Sequence, residues 1–144
     1  MSQENVELVE SLLSGAGALD KRALIAALPE FIAEAADADI EWVEDPQRFD
    51  AQVFRGHAGV RESFERWLEQ WDEFEYEAEE FIDCGDDVLV IGRERARGMA
   101  SGANVDVRQH SIWTVRAGKI ARYREFYDEQ DARRAAGLAE GGRS

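Results

Sequence analysis

The sequence predicts one α+β domain, in which a cone-shaped, strongly bent antiparallel β-sheet carries about three N-terminal and central helices on its concave face. Two patterns predict this class. Apolar residues recur at helical spacing through most of the chain before Trp71, with one short strand between the helices. From residue 73 to residue 127 the period changes to two, as in consecutive long strands. Helices followed by a run of antiparallel strands are typical of α+β domains.

Two helical segments are expected before the first strand. Residues 3–14 carry apolar side chains three or four positions apart, and the glycine-containing segment 14–17 ends this helix. Asp20 is a favourable N-cap for a second helical region that runs to Ile32. Pro29 lies inside that region and is expected to divide it, because proline has no N–H to donate.

The first strand is expected at residues 40–45, after a turn at 37–39. It ends at Pro46, which cannot donate to a sheet ladder. Residues 47–55 are expected to form a loop or a short irregular strand. Gly56 then precedes the clearest amphipathic helix, whose apolar side chains lie on one face: Val60, Phe64, Trp67, Leu68 and Trp71.

Four strands follow this helix. They are expected at residues 73–82, 88–95, 105–115 and 120–127, with turns at 84–87, 101–104 and 117–118. A short helix is expected at 128–136. We therefore place the domain at residues 1–137 and a flexible C-terminal tail at 138–144.

Composition excludes several classes of protein. The chain of 144 residues has a formal net charge of −14, which disfavours binding to nucleic acid and to anionic membranes. It has no apolar run long enough for a membrane span. Cys84 is the single cysteine, so neither a disulfide framework nor a metal–thiolate site is expected. The N-terminus lacks a signal-peptide pattern, so we expect a cytoplasmic protein. We also expect neither a cofactor nor a metal.

Three segments, residues 38–46, 54–64 and 112–122, resemble the nuclear transport factor 2-like superfamily, and more narrowly its SnoaL-like and ketosteroid isomerase-like members, which include polyketide cyclase-like domains. They look like the family's first strand, the glycine-led entry to its third helix and its final hairpin. The resemblance implies a cystatin-like α+β roll. The superfamily contains isomerases, cyclases, dehydratases and binding modules, so the fold alone leaves the function open.

The resemblance implies a catalytic role for Asp45. In ketosteroid isomerases, a segment similar to residues 43–46 supplies the general base that moves a proton beside a carbonyl. The alternative is a solvated carboxylate that caps the turn before Pro46. The isomerases also use a Tyr on the first helix and a protonated acid on the fourth strand. Here the first helix has no Tyr, and the strand position falls at Ser111, or at His110 after a slip of one residue, so steroid isomerisation is not expected.

Glu125 is the second candidate. In SnoaL-like cyclases an Asp on the last strand acts as acid and base, and residues 118–125 resemble that stretch with Glu in its place. On a strand, Tyr123, Glu125 and Tyr127 share one face, so burial could raise the pKa of the Glu125 carboxyl group. The alternative is a cross-strand ion pair with one of three alternating arginines, Arg93, Arg95 and Arg97.

The register of the last hairpin decides which side chain faces Glu125. A two-residue turn at 117–118 would place His110 opposite Glu125, whereas a three-residue bulged turn would place Ser111 and Trp113 with Tyr123 and Glu125. The sequence leaves both registers open.

Aromatic and basic side chains also admit two interpretations each. Trp42 and Trp113 could line a pocket for a flat apolar ligand, whereas helical spacing assigns Trp67 and Trp71 to the core. The alternating arginines could bind an anionic ligand, but an exposed sheet face on an acidic protein accounts for them better.

The function that these residues indicate is binding of a small apolar or carbonyl-bearing molecule, by a homodimer formed through the sheet. An enzyme of this kind would perform cofactor-free proton transfer with Asp45 as base and Glu125 as its partner acid or base. Ser111 or His110 would be donors, and Trp42, Trp113, Tyr123 and Tyr127 would contact the ligand. The alternatives are a non-catalytic binding or assembly module and a metal hydrolase, which would require a cluster of His and carboxylate side chains.

Overall fold

A computed structural model describes residues 2–13, 19–48, 51–98 and 104–138. This part of the chain contains four α-helices: α1 (Ser2–Leu13), α2 (Lys21–Glu30), α3 (Gly56–Glu69) and α4 (Glu129–Ala135). A π-helical turn at Phe31–Ala35 continues α2. The helix boundaries agree with the sequence expectations to within a few residues, as is normal for helix ends.

The strands form one sheet of seven in the described residues: β1 (Leu19–Asp20), β2 (Ala36–Val43), β3 (Val53–Arg55), β4 (Trp71–Cys84), β5 (Asp87–Gly98), β6 (Asn104–Arg116) and β7 (Lys119–Phe126). Their order across the sheet is β1-β4-β5-β6-β7-β2-β3. Neighbouring strands are antiparallel except β2 and β7, which run parallel. The α+β class with a bent, unclosed sheet is confirmed.

The two faces of the sheet pack against different helices. Side chains alternate along a strand, so Val88 and Val90 point to one face of β5 and Leu89 to the other. The first face, with α1, α2 and α3 over it, holds the main core, which includes Val9, Ile40 and Trp113. On the opposite face Leu89 packs with Ile112 and with Ala132 of α4. The helices α1–α3 and the sheet therefore enclose the interior of the domain.

The local signals near the N-terminus act as the sequence predicts, with two corrections. The Asp20 side chain accepts a hydrogen bond from the Ala23 N–H at 2.8 Å and so caps α2. The change from α-helix to π-helix follows Pro29 by two residues, as expected from the missing donor. However, β2 begins at Ala36 and runs through residues 37–39, where a turn was expected, because Ala36 already pairs with Ile120 of β7, with a register shift between Ala36 and Glu41. The short strand β1 was not predicted.

The final hairpin combines the two registers that the sequence left open. The turn has two residues, Ala117 and Gly118, whose φ angles are 53° and 76°, as in a type I′ turn. A β-bulge then shifts the pairing between Val115 and Thr114. Ser111 therefore lies opposite Glu125, and His110 does not, although a two-residue turn without the bulge would have paired them.

The alternating arginines of β5 lie on the outer face of the sheet, as the sequence favours. Arg93 contacts Asp106 at 2.7 Å, Arg95 contacts Glu75 at 3.2 Å, and Arg97 contacts Glu73 at 2.8 Å. Each of the three arginines is thus paired with a carboxylate on a neighbouring strand. The arginine partner expected for Glu125 is therefore not one of them.

Some expectations fall on residues outside the described ranges: the end of the first helical segment at 14–17, most of the turn at 101–104, and the tail beyond Leu138. None of the helices in the described ranges has the length and apolarity needed to cross a membrane.

We predict that Ala117→Asn stabilises the protein. An alanine at positive φ is strained by its Cβ atom, whereas asparagine tolerates this conformation and favours the type I′ turn. The free energy of unfolding in urea should rise by about 0.5–1 kcal/mol. Ala117→Val is the matched control and should lower it, because a β-branched residue fits positive φ worst. Equal stabilities for the two variants would contradict this account of the turn.

Candidate functional site

A cavity of about 100 Å³ lies between α3 and the inner face of the sheet. Its apolar wall includes Phe64, Trp67 and Phe74. Its polar wall is formed by inward-facing polar side chains of four neighbouring strands, β4 to β7: Tyr76, Glu94, Gln109, Ser111, Tyr123 and Glu125. A mostly apolar cavity with convergent polar groups is typical of a small-molecule site.

Glu125 faces this cavity from β7. The residue is 7% exposed, and one carboxyl oxygen accepts a hydrogen bond from the Tyr123 hydroxyl at 3.4 Å. Burial disfavours the charged carboxylate and, with a further contribution from the negative charge of Glu94, raises the pKa of Glu125 from 4.5 to about 8. The expectation of a raised pKa for Glu125 thus agrees with its surroundings.

Glu94 is a second buried carboxyl group on the same wall. It is 5% exposed and lies on β5, and the Tyr127 hydroxyl donates to one of its oxygens at 3.0 Å. Burial raises the pKa of Glu94 to about 7, while the hydrogen bond from Tyr127 and the charge of Arg48 oppose that rise. Two acids in one cavity therefore have pKa values close to neutral pH.

Gln109 connects the two acids. Its Nε2 donates to the Tyr123 hydroxyl at 3.1 Å and to Glu94 at 3.4 Å, and the Tyr123 hydroxyl in turn donates to Glu125. Its Oε1 atom is buried and has no hydrogen-bond partner among the described residues. Glu94, Gln109, Tyr123 and Glu125 thus form one connected network, and the Gln109 Oε1 remains as an acceptor for a bound molecule.

Arg48 is the cation that lines the cavity, and it was not predicted from the sequence. Its guanidinium lies 3.5 Å from Glu125 and 3.6 Å from Glu44, and 4.4 Å from the centre of the Trp67 ring. The guanidinium charge lowers the pKa of Glu125 and that of Glu94, against the effect of burial. Arg48 belongs to the loop after β2, where no periodicity marks a residue as inward-facing.

Asp45 holds this loop in place. One of its carboxyl oxygens accepts the Gln47 N–H at 2.7 Å, and the other accepts the Tyr127 N–H at 2.6 Å. Asp45 is 2% exposed but does not line the cavity. Its contacts are those of the turn-capping alternative, although the carboxylate is buried and not solvated.

The structure places Ser111 and His110 on opposite faces of β6. Ser111 lines the cavity, and its Oγ accepts a hydrogen bond from the Trp113 Nε1–H at 2.9 Å. His110 faces away from the cavity, and its Nδ1–H donates to the Phe126 carbonyl at 3.3 Å. Burial lowers the pKa of His110. Of the two donors left open by the sequence, Ser111 is the one near Glu125.

The aromatic residues predicted to contact a ligand belong to both the core and the cavity. Trp42 stacks on Tyr123 with 3.8 Å between ring centres, and Trp113 packs edge-on against both. All three line the cavity, as does Trp67, which helical spacing had assigned to the core. Tyr127 does not line the cavity but lies behind Glu94, to which it donates.

Gly92 sets the position of Tyr76 on the polar wall. A Cβ atom at residue 92 would lie 2.5 Å from the Tyr76 hydroxyl oxygen and 2.7 Å from the ring. The Tyr76 ring therefore rests on the backbone of β5, where only glycine leaves enough space.

The described ranges contain no group of three or more His, Cys, Asp or Glu side chains arranged to hold a metal ion. The groups that converge on the cavity are those of acid–base chemistry: two carboxyl groups, two phenols, two hydroxyls, an amide and the Arg48 guanidinium.

The model of the SnoaL-like domain family matches residues 18–123, which is most of the chain. The chain belongs to the SnoaL-like domain family. This agrees with the resemblance found in the sequence, and the matched region includes Asp45, Glu94, Ser111 and Tyr123 but ends just before Glu125. No protein with a curated function matches the sequence significantly.

Solved structures share the fold of this SnoaL-like chain. A nuclear transport factor 2-like protein of unknown function from Burkholderia pseudomallei has a TM-score of 0.67 and 20% identity, over 90% of this chain and 95% of that one. A candidate SnoaL-like polyketide cyclase from Jannaschia has a TM-score of 0.71 and 21% identity, over 95% and 94%. TerC, crystallised with polyporic acid, has a TM-score of 0.58 and 22% identity, over 81% and 96%.

We predict that Arg48→Met raises the pKa of both cavity acids. Removing the nearby positive charge destabilises the carboxylate forms, so the pKa of Glu125 should rise by roughly one unit or more, and that of Glu94 should also rise. Carbon NMR of the glutamate carboxyl groups during a pH titration measures both values. Arg61→Met removes an exposed arginine of α3 and should leave them unchanged. A pKa of Glu125 that is unaltered in Arg48→Met would contradict the role of Arg48.

We also predict that stability falls as pH rises from about 5 to about 8. Between 4.5 and about 8 the folded protein keeps a proton on Glu125 that the unfolded chain has already released, so the folded state loses up to about 1.4 kcal/mol per pH unit from this group. Glu94 adds to the effect up to about pH 7. Urea unfolding across this range should show a shallower decline for Glu125→Gln than for wild type. Glu80→Gln, at an exposed position of β4, is the control and should keep the wild-type slope.

Proposed function

We propose that this SnoaL-like protein binds a small apolar or carbonyl-bearing molecule and catalyses cofactor-free proton transfer on it. The observation that carries the proposal is the placement of Glu94 and Glu125 in one apolar cavity, with pKa values of about 7 and about 8. Acids and bases work best when their pKa values lie near the working pH. Perturbed carboxyl groups in a cleft are also characteristic of functional sites.

The two acids can take complementary roles near neutral pH. Because the negative charge of Glu94 adds to burial in raising the pKa of Glu125, Glu125 keeps its proton to higher pH than Glu94 does. The ionised carboxylate, which we assign to Glu94, would take a proton from the carbon beside the substrate carbonyl. The protonated Glu125 would give its proton to the carbonyl oxygen, which leaves an enol and an inverted pair of acids. If the enol is conjugated, return of the proton from Glu94 to a different carbon, with the hydroxyl proton going back to Glu125, completes an isomerisation. Attack of the enol carbon on a second carbonyl group of the substrate would instead close a ring in an aldol-type cyclisation.

Neighbouring groups support these roles. Tyr123 donates to Glu125, and Ser111 lies directly across the hairpin from Glu125, so both can orient the carboxyl group or contact the oxygen of the substrate. The free Oε1 of Gln109 offers an acceptor. We assign Asp45 a positioning role through the loop that carries Arg48, in place of the general base implied by the family resemblance.

The class of substrate follows from the walls of the cavity. Aromatic rings and apolar side chains cover most of it, and two acids face inward, so a neutral molecule is favoured over an anion. The similar fold of TerC, crystallised with polyporic acid, and of a candidate polyketide cyclase supports an organic ligand.

The second candidate is a non-catalytic ligand-binding or assembly module, and one observation favours it. The cavity of about 100 Å³ is smaller than the roughly 300–1,000 Å³ usual for ligand sites. A space of this size admits only a small molecule or the head group of a larger one.

The test is exchange of hydrogen for deuterium at carbons beside the carbonyl of small ketones in deuterated water, followed by proton NMR. Wild type should accelerate exchange, and Glu125→Gln and Glu94→Gln should each lower the rate by about 100-fold or more. The rate should follow a bell-shaped pH profile with its maximum between the two pKa values, near pH 7 to 8.

Two controls separate catalysis from loss of folding. Glu80→Gln should exchange at the wild-type rate, and thermal unfolding in the presence of each ketone should show whether the variants still bind. Ketones that raise the melting temperature of wild type without any exchange would favour the binding module and overturn the proton-transfer proposal.

A further inference from the structure

A second cavity of about 300 Å³, which we call the apolar chamber, lies between the first two helices and the sheet. Leu12 of α1, Ala27 and Leu28 of α2, and Phe31 of the π-helical turn line it. This chamber is about three times as large as the acid-lined cavity. A void this large beside a packed core leaves many side chains without contacts that a ligand could supply.

The apolar chamber and the acid-lined cavity share one wall. Five residues line both: Leu13, Leu24, Trp42, Phe64 and Trp113. These five side chains therefore lie between the two spaces. A ligand that spans both spaces requires a shared side chain to move, and Phe64 is only partly buried and packs on Trp42 with 5.5 Å between ring centres.

A continuous row of aromatic rings connects the chamber to the acids. Phe31 lies 6.2 Å from Trp42, Trp42 stacks on Tyr123 at 3.8 Å, and the Tyr123 hydroxyl donates to Glu125. A molecule that follows these rings would have one end at the carboxyl groups and the other under α2. Its far end would not meet Glu94 and Glu125, which line only the first cavity.

The mouth of the chamber selects against negative charge. Glu30 and Glu34 are exposed and line its rim, and the whole chain carries a net charge of −14. A carboxylate or phosphate at the far end of a ligand would be repelled there. Apart from Ser11, whose hydroxyl donates to the Leu8 carbonyl at 2.8 Å, the remaining lining is apolar, so an uncharged hydrocarbon chain fits it best.

We propose that the substrate is a neutral, elongated ketone whose carbonyl head lies at Glu94 and Glu125 and whose apolar tail occupies the chamber. This inference rests on the proposed function for the position of the head. It adds the length and polarity of the substrate, and it accounts for the small volume of the acid-lined cavity, which needs to hold the head alone.

The experiment measures binding of straight-chain methyl ketones, from acetone through butanone and hexanone to decanone, by titration calorimetry. Each methylene that enters the chamber should tighten binding about fourfold until the chamber is full. Affinity that does not change beyond butanone would overturn the proposal.

Two variants of α2 test where the tail binds. Ala27 lines the chamber but not the acid-lined cavity, and its exposed position tolerates a larger side chain. Ala27→Phe should fill the chamber and weaken decanone at least about tenfold while leaving acetone and butanone unchanged. Ala26→Phe, at an exposed neighbour outside the chamber, should bind the whole series as wild type does. Equal affinity of the two variants for decanone would place the tail elsewhere.

The outcomes also separate this inference from the proposed function. If short ketones exchange deuterium but affinity does not increase with chain length, the proton-transfer proposal stands and the tail site is excluded. A gain with chain length that persists in Glu125→Gln and is lost in Ala27→Phe would support the tail site, even if no ketone exchanges.

Discussion

The burial of two carboxyl groups in one largely apolar cavity is the constraint on which the rest of this structure depends. Glu94 and Glu125 are each less than a tenth exposed, and a charged carboxylate without partners is expensive in such surroundings. Arg48 and the phenol and amide donors offset part of this cost. Burial also raises the pKa values of the two groups to about 7 and about 8. A charge state that can change at little cost is what acid–base chemistry requires.

Asp45 and Arg48 show how a residue outside the cavity can determine its electrostatics. Both oxygens of Asp45 accept backbone N–H groups, one in its own turn and one at the end of β7. The backbone N–H of Arg48 donates to the carbonyl of Asp45 at 2.9 Å. Asp45 therefore fixes the loop from which the Arg48 guanidinium reaches Glu125. The segment that carries the family resemblance thus affects the electrostatics of the cavity through the charge of Arg48.

Most of the fold could be predicted from the sequence, because helical spacing and the change to alternation are local patterns. The inward position of Glu94 was also available: if Arg93 and Arg95 face solvent, the residue between them faces the core. By contrast, the bulge beside Thr114 leaves no local signal, and it decides that Ser111, not His110, lies opposite Glu125. Arg48 lies in a loop whose course depends on distant partners, so no periodicity could reveal it.

Gly92 has a consequence for how this interior could evolve. Since a single added methyl group at that position would collide with the Tyr76 ring, the ring would have to move, and Tyr76 lines the cavity. The volume of the acid-lined cavity thus depends on the absence of a Cβ atom at residue 92 of β5. During evolution, a shorter side chain at residue 76 would enlarge the cavity, whereas a larger side chain at residue 92 would only reduce it.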